Sequence, residues 1–441
     1  MSDTPAGTPA SAPATKRGLE RFRMYAEGKR AMITMIEESP DPNPVLLGFF
    51  KLMLADDERI VDCIENDKPL LSTWYGNANE ICAAMDIQAY CLVDNILHLG
   101  PTQEDLDGMD AVPIPADMCG LIKMGAYAVE KGLVPVPTAM IAMLEPCDAQ
   151  SALHEAWMNT PGWEGVPTFA LDPAYGATGW DYDYFAGELR RMITFLEDHV
   201  GRKMDWDRLR EVIEATNKQY EAWAEYNECR RAVPCPHPSS FPTSDLCWGL
   251  TQHIVAGQPE VVDVITMLAG DAAAKVKAGV AGVPGERIRI LWADLVPFWH
   301  GPLSEWLASE WQANVVMDFQ GYTPYEHIDT STEDSMLVGL AKRCLNEVPM
   351  IRQARGSVDA MIEDITRITK DYTCDCVIFP GHVGHKDQSA SVGFLREACR
   401  DLKIPLLILT VDNFDPRFTP IEELSRQIFE FFEAHGLGEG R

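Results

Sequence analysis

Two cysteines stand where loops run into helices, a position suited to holding a metal. Cys119 lies in DMCGLIKMGAY, at a Pro/Gly-flanked break where a loop enters a helix. A thiol there faces the positive end of the helix, which is expected to lower its pKa and favour the thiolate a metal needs. Cys147 lies in MLEPCDAQ, after an apolar run and before another helical stretch. That places it at the tip of a strand, where α/β folds put ligands. The two are twenty-eight residues apart, which is no ferredoxin spacing. On spacing alone each also reads as a buried small hydrophobe. The chain holds twelve cysteines, and in a reducing compartment these are core residues, metal ligands or reactive thiols rather than disulfides. Cys374 and Cys376 fall inside the run CDCVIFP, where alternation sends both to one face as packing.

Other residues carry chemistry singly. Glu80, in NEICAAMD, is a carboxylate between apolar neighbours; burial there suits it to move a proton near neutrality. Its alternative reading is a helix N-terminal charge meeting the dipole. Tyr75 and Trp74 end an apolar run and line a pocket or the core. His300, in FWHGPLSEW, follows a strand and precedes a helix, the ligand side of such folds or a structural position. Phosphate-cradling loops of the P-loop or dinucleotide type do not occur; GVAGVPGE (279–286) lacks the Lys-Ser/Thr ending and precedes a strand. An autonomous ATPase or NAD enzyme is therefore disfavoured.

Composition narrows the partners. Acidic residues outnumber basic ones 67 to 37, a formal net charge of -30. So negative a surface repels phosphate backbones and anionic lipid, which argues against nucleic-acid and membrane binding. Residues 1–17 are rich in Pro, Ala, Ser and Thr without an apolar core, and read as a disordered lead rather than a secretory signal. No apolar run of eighteen residues occurs, and a cytoplasmic location is expected.

The elements that must position these residues form an alternating pattern. RIRILWAD (287–294), VVMDF (315–319), CDCVIFP (374–380) and PLLILTVD (405–412) read as strands separated by amphipathic helices. One helix carries Val358, Met361, Ile362, Ile365 and Ile368 on a stripe, with Ser357 placed to cap it. The last helix has Thr419 as its cap, Pro420 in its first turn, and Ile421, Leu424, Ile428 and Phe431 on its stripe. Earlier strand candidates are PLLSTW (69–74), AYCLV (89–93), the segment before Cys147, and VPTFALD (166–172); VPVPTAMIAML reads as strand or helix. Between them lies a helical region whose best face carries Leu209, Val212, Ile213, Tyr220 and Trp223, broken by VPCPHPSSFPTS (233–244). The expected fold is α/β: two doubly wound Rossmann-like parallel-sheet domains with a helical connecting region. The expected division is an N-terminal helical segment over 18–64, a first α/β domain over 65–200, a connector over 201–283 and a second α/β domain over 284–441. The two α/β units share no short repeat, though a common architecture fits both.

Together, MCGLIKMG, EPCDAQSALHEAW and a strand–loop–helix ending in KIPLLILTVDNFDPRF resemble the 2-hydroxyacyl-CoA dehydratase family, which includes the ATP-dependent benzoyl-CoA reductase subunits. NEICAAMD and CRRAVPCPHP (229–238) fit the same family, and the likeness spans roughly residues 65–435. The resemblance implies a [4Fe-4S] cluster held by Cys119 and Cys147 near an acyl-CoA or aromatic acyl-CoA substrate. It implies a related second subunit and a separate ATP-hydrolysing activator that injects one electron at low potential. In the dehydratases that electron makes a ketyl radical of the thioester, and water leaves the 2-hydroxyacyl-CoA. The family's third cysteine belongs in the loop that here reads GHVGHKDQSAS (381–391). His385 stands at the cysteine's place, with Lys386 and Ser389 also where the pattern allows and His382 as the competitor. Imidazole ligates iron and, being neutral, raises a cluster's potential. Alternatively the histidines bind substrate or CoA phosphate. A reductase subunit and a cluster-free partner of a catalytic paralogue are the other functional expectations.

Overall fold

The computed structural model describes residues 18–91, 102–144, 147–254, 256–348, 351–355 and 358–438. The expected lead over 1–17 and the cap Ser357 lie outside them. Two four-stranded, all-parallel sheets form the frame. The first contains β1 (Leu70–Thr73), β2 (Gln88–Cys91), β3 (Ala139–Met143) and β4 (Thr168–Leu171). The second contains β5 (Ile288–Trp292), β6 (Ala313–Asp318), β7 (Cys376–Phe379) and β8 (Leu406–Ile408). Their orders are β2-β1-β3-β4 and β6-β5-β7-β8. The two orders are the same, so the common architecture that fitted the sequence is present as one topology used twice. In each sheet the chain leaves the first strand to one side and returns to the other, which makes a crevice at the strands' carboxyl ends.

Short apolar runs become these strands because both faces are covered. Every residue of β1, β3, β5, β6 and β7 is buried, whereas the edge strands β4 and β8 are partly exposed. Alternation divides β5 between two layers: Ile288, Ile290 and Trp292 enter one core cluster, and Leu291 and Ala293 the other. VPVPTAMIAML resolves as strand β3, since Ala139–Met143 pairs with both β1 and β4. Cys374 and Cys376 do not share a face. The strand begins only at Cys376, and Cys374 sits in the turn before it, its amide bonded to Thr369 O. Cys376 packs in one layer and Cys374 against the other.

Helices cover the sheets. Leu19–Glu37 and Pro44–Glu65 pack on each other, the second started by Asn43, whose Oδ1 accepts the amides of Val45 and Leu46. In Trp206–Cys229 the face of Leu209, Val212, Ile213, Tyr220 and Trp223 is buried as its spacing predicts. The Pro-rich break is shorter than read: a helix already starts at Phe241, with Pro242 in its first turn. Asp318, at the end of β6, pins that helix by accepting from Ser240, Ser244 and the Gly321 amide. Two segments, Gly249–His253 and Arg343–Glu347, wind as π-helix, a rare form that recurs at functional sites. Thr419 does not cap the last helix (Ile421–His435); its hydroxyl donates to Thr410 O, so Pro420 alone starts the turn. Among the described residues no helix is long and apolar enough to cross a membrane.

A buried carboxylate helps to join the two sheets. Asp412, in the loop after β8, accepts the Gly120 amide at 2.6 Å and those of Phe414 and Asp415 at 2.9 and 3.1 Å. Gly120 opens the helix Gly120–Glu130 of the first sheet. Burial pushes the Asp412 carboxyl above its ordinary range, and the three amides oppose the rise. In Asp412→Ala those amides lose a charged acceptor, which should destabilise the protein by roughly 2 kcal/mol. A denaturant midpoint that falls accordingly is the expected result; an unchanged midpoint would remove Asp412 from this structural role.

Candidate functional site

The carboxyl ends of β1 and β3 meet those of β5, β7 and β8. From the first sheet come Tyr75, just past β1, and Cys147, past β3. From the second come Asp294 past β5, His382 and His385 past β7, and Asp412 and Asn413 past β8. Cys119 sits between, immediately before the helix that Asp412 holds.

Both cysteines stand directly before a helix, in extended backbone, as the sequence predicts: Cys119 before Gly120–Glu130 and Cys147 before Asp148–Met158. The expected fall in the Cys119 pKa is overturned. Burial pushes the thiol well above its ordinary value, and the Asp412 carboxylate and Cys147 add to the rise. The Leu121 and Ile122 amides pull the other way but lose, because Cys119 is only 4% exposed. Such a thiol gives up its proton only to a cation that replaces it. Cys119 belongs to the core cluster of the first sheet, and half-buried Cys147 packs against that same cluster.

The histidine loop packs directly on Cys119. A Cβ placed on Gly384 would stand 2.7 Å from Cys119 Cβ, 3.0 Å from its Sγ and 3.1 Å from His382 Nε2. Only glycine lets the loop come this near. The His382 and His385 rings meet edge to face, their centroids 4.7 Å apart. Their hydrogen bonds differ in sense. His385 Nδ1 lies 3.0 Å from Asp294 Oδ1; a carboxylate accepts, so the neutral ring carries its lone pair on Nε2. This is the carboxylate–histidine arrangement found behind metal ligands. His382 Nδ1 instead accepts the Asn413 amide at 3.1 Å, which puts that ring's proton on Nε2. Burial, and after it His385, hold the His382 pKa down to about 3 against Asp294 and the Val411 carbonyl, so the ring is neutral.

Among the described residues, buried polar atoms without a partner gather here: His382 Nε2, Asp294 Oδ2, Asn413 Oδ1 and both polar side-chain atoms of Gln388. Each such atom asks for an explanation, and a bound group is one. Among the described residues no three His, Cys, Asp or Glu side chains are gathered as a site for a metal ion.

The other predicted residues make their contacts elsewhere along the crevice. Tyr75 is half-buried, its ring 5.1 Å from Trp248 and 5.5 Å from Trp74. His300 opens the helix His300–Trp311, with Nε2 3.5 Å from Asp245 Oδ2. Glu80 is buried and accepts from Arg343 Nη1 at 3.0 Å, an ion pair spanning 263 positions. Lys386 pairs with Asp117, and Ser389 is exposed on the short helix Lys386–Ala390. Asp294, Asp412, Asn413 and Gly384 went unread. The signal for the two aspartates was present, because RIRILWAD and PLLILTVD each end an apolar strand on a carboxylate, where ligand-side residues fall.

A model of the 2-hydroxyglutaryl-CoA dehydratase D-component family matches residues 76–434, a span that includes Glu80, both cysteines, the histidine loop and the Asp412 joint. No curated protein matches the chain. On the family match, the chain belongs to the 2-hydroxyglutaryl-CoA dehydratase D-component family.

Proposed function

We propose that this chain is the [4Fe-4S]-containing subunit of an enzyme that eliminates water from a 2-hydroxyacyl-CoA. One observation carries the reading: the loop of His382 and His385 packs through Gly384 on Cys119, whose core cluster also takes Cys147. The donor set suits the cluster. Two thiols and an imidazole backed by a buried carboxylate are iron ligands by type, and a four-iron cluster spreads its ligands wider than a single ion does.

In this reading Cys119 and Cys147 bind as thiolates, and His385 through Nε2, oriented by Asp294. When bound, the cluster supplies single electrons at low potential to the thioester. The chain's own residues do the rest. Buried thiols and the apolar wall around Cys119 keep water from the reducing centre. Tyr75 against Trp248 presents an aromatic wall to the acyl group, with His300 as a polar contact. Glu80, held by Arg343, is the proposed base. The anionic CoA meets a chain that is acidic overall, and beside the Cys119 helix the basic groups are matched by acids: Lys386 pairs with Asp117, and Arg417 with Asp107, Asp110 and Asp415. A related second subunit and a separate ATP-hydrolysing activator complete the system.

The test is anaerobic purification, iron and sulfide analysis, and assay with activator, ATP and a panel of 2-hydroxyacyl and aromatic CoA esters. Iron, sulfide and dehydration are expected. Ring reduction would mark a benzoyl-CoA-type reductase subunit, and an iron-free protein a cluster-free partner. Cys119→Ala and Cys147→Ala should each abolish the broad visible absorption with the far-UV dichroism unchanged. Full iron in either variant would strike that cysteine from the ligand set.

A further inference from the structure

His382 accepts through Nδ1, which leaves the neutral ring's proton on Nε2, beside Gly384 and the cysteine it packs on. Its Nδ1 is taken by the Asn413 amide at 3.1 Å. Turning the ring over would set a C–H against that amide and leave a buried donor unpaired. The ring is also clamped: Phe414 meets it edge to face at 5.5 Å, His385 does so at 4.7 Å, and the backbone of His382 bridges to Val411 beside β8. Nε2 therefore keeps both its position and its hydrogen. That N–H is buried and has no partner among the described residues. The point it approaches within 3.1 Å is the one that Cys119 Sγ approaches within 3.0 Å, over the bare backbone of Gly384.

An N–H so placed is a fixed, neutral donor to whatever negative charge settles on or beside the Cys119 sulfur. We infer that His382 is a positioning residue of the iron–sulfur centre, donating Nε2–H to the Cys119 thiolate or an adjoining sulfide without ligating iron. This inference rests on the cluster reading above. It divides the loop's two histidines by tautomer: His385 offers a lone pair and His382 a proton. The consequence is electronic. Sulfur gains negative charge when the centre is reduced, so a hydrogen bond to it favours the reduced state and raises the potential. His382 thus offsets part of the cost of placing an electron in so buried and acidic a surrounding.

The test compares two variants of the anaerobically purified full chain by iron analysis and EPR-monitored redox titration. His382→Asn keeps an acceptor for the Asn413 amide but has no atom at the Nε2 position. His382→Gln reaches that position with an amide N–H. The Asn variant should keep its iron and be harder to reduce by roughly tenfold, about 59 mV for one electron. The Gln variant should stay close to the unmodified protein. Full iron with an unchanged potential in the Asn variant would overturn the donor role while leaving the cluster reading intact. Loss of iron from both variants would make His382 a ligand and overturn it too. An iron-free unmodified protein would overturn the cluster reading and this inference together.

Discussion

The site depends on the buried contact between the Asp412 carboxylate and the Gly120 amide. One partner lies in the loop after the last strand of the second sheet, and the other begins the helix behind Cys119, 292 positions away. A carboxylate taken out of water costs several kcal/mol unless it is well hydrogen-bonded, and here three backbone amides bind it. Geometry follows from that requirement. With Asp412 at the head of the Cys119 helix, the next loop of the same sheet must lie over Cys119, and only a glycine, Gly384, fits between them.

Using one strand order twice gives the crevice its chemical division. The first sheet contributes thiols, while the second contributes imidazoles, one oriented by Asp294 and one by the Asn413 amide. Neither half alone presents a complete set of donors. Burial then sets the terms: it keeps the Cys119 thiol protonated and the His382 ring neutral. The helix dipole, which governs an exposed cysteine at a helix start, is the smaller effect here. A metal or cluster cation is what such a thiol requires to ionise.

Much of this frame was legible in the residue order. Strands announced themselves as short apolar runs, because parallel sheets covered on both faces need no polar alternation. The positions of Cys119 and Cys147 at helix starts were also readable. What escaped was everything set by distant partners. Asp294 fixes the tautomer of His385 from 91 positions away, and Arg343 claims Glu80 from 263. Local errors had local causes: Cys374 fell in a turn that CDCVIFP does not announce, and Thr419 found a carbonyl instead of a helix amide. The raised Cys119 pKa was unreadable for a related reason, since burial is a property of the packed loops and not of DMCGLIKMGAY.

The central claim is that iron is held between the two sheets by ligands from both. Anomalous scattering at the iron edge, recorded from crystals grown without oxygen, tests it most directly. The account predicts one compact iron peak within bonding reach of the Cys119 and Cys147 sulfurs and of His385 Nε2, with His382 outside that shell. Iron elsewhere in the chain, or none in protein active with its partner, would contradict it.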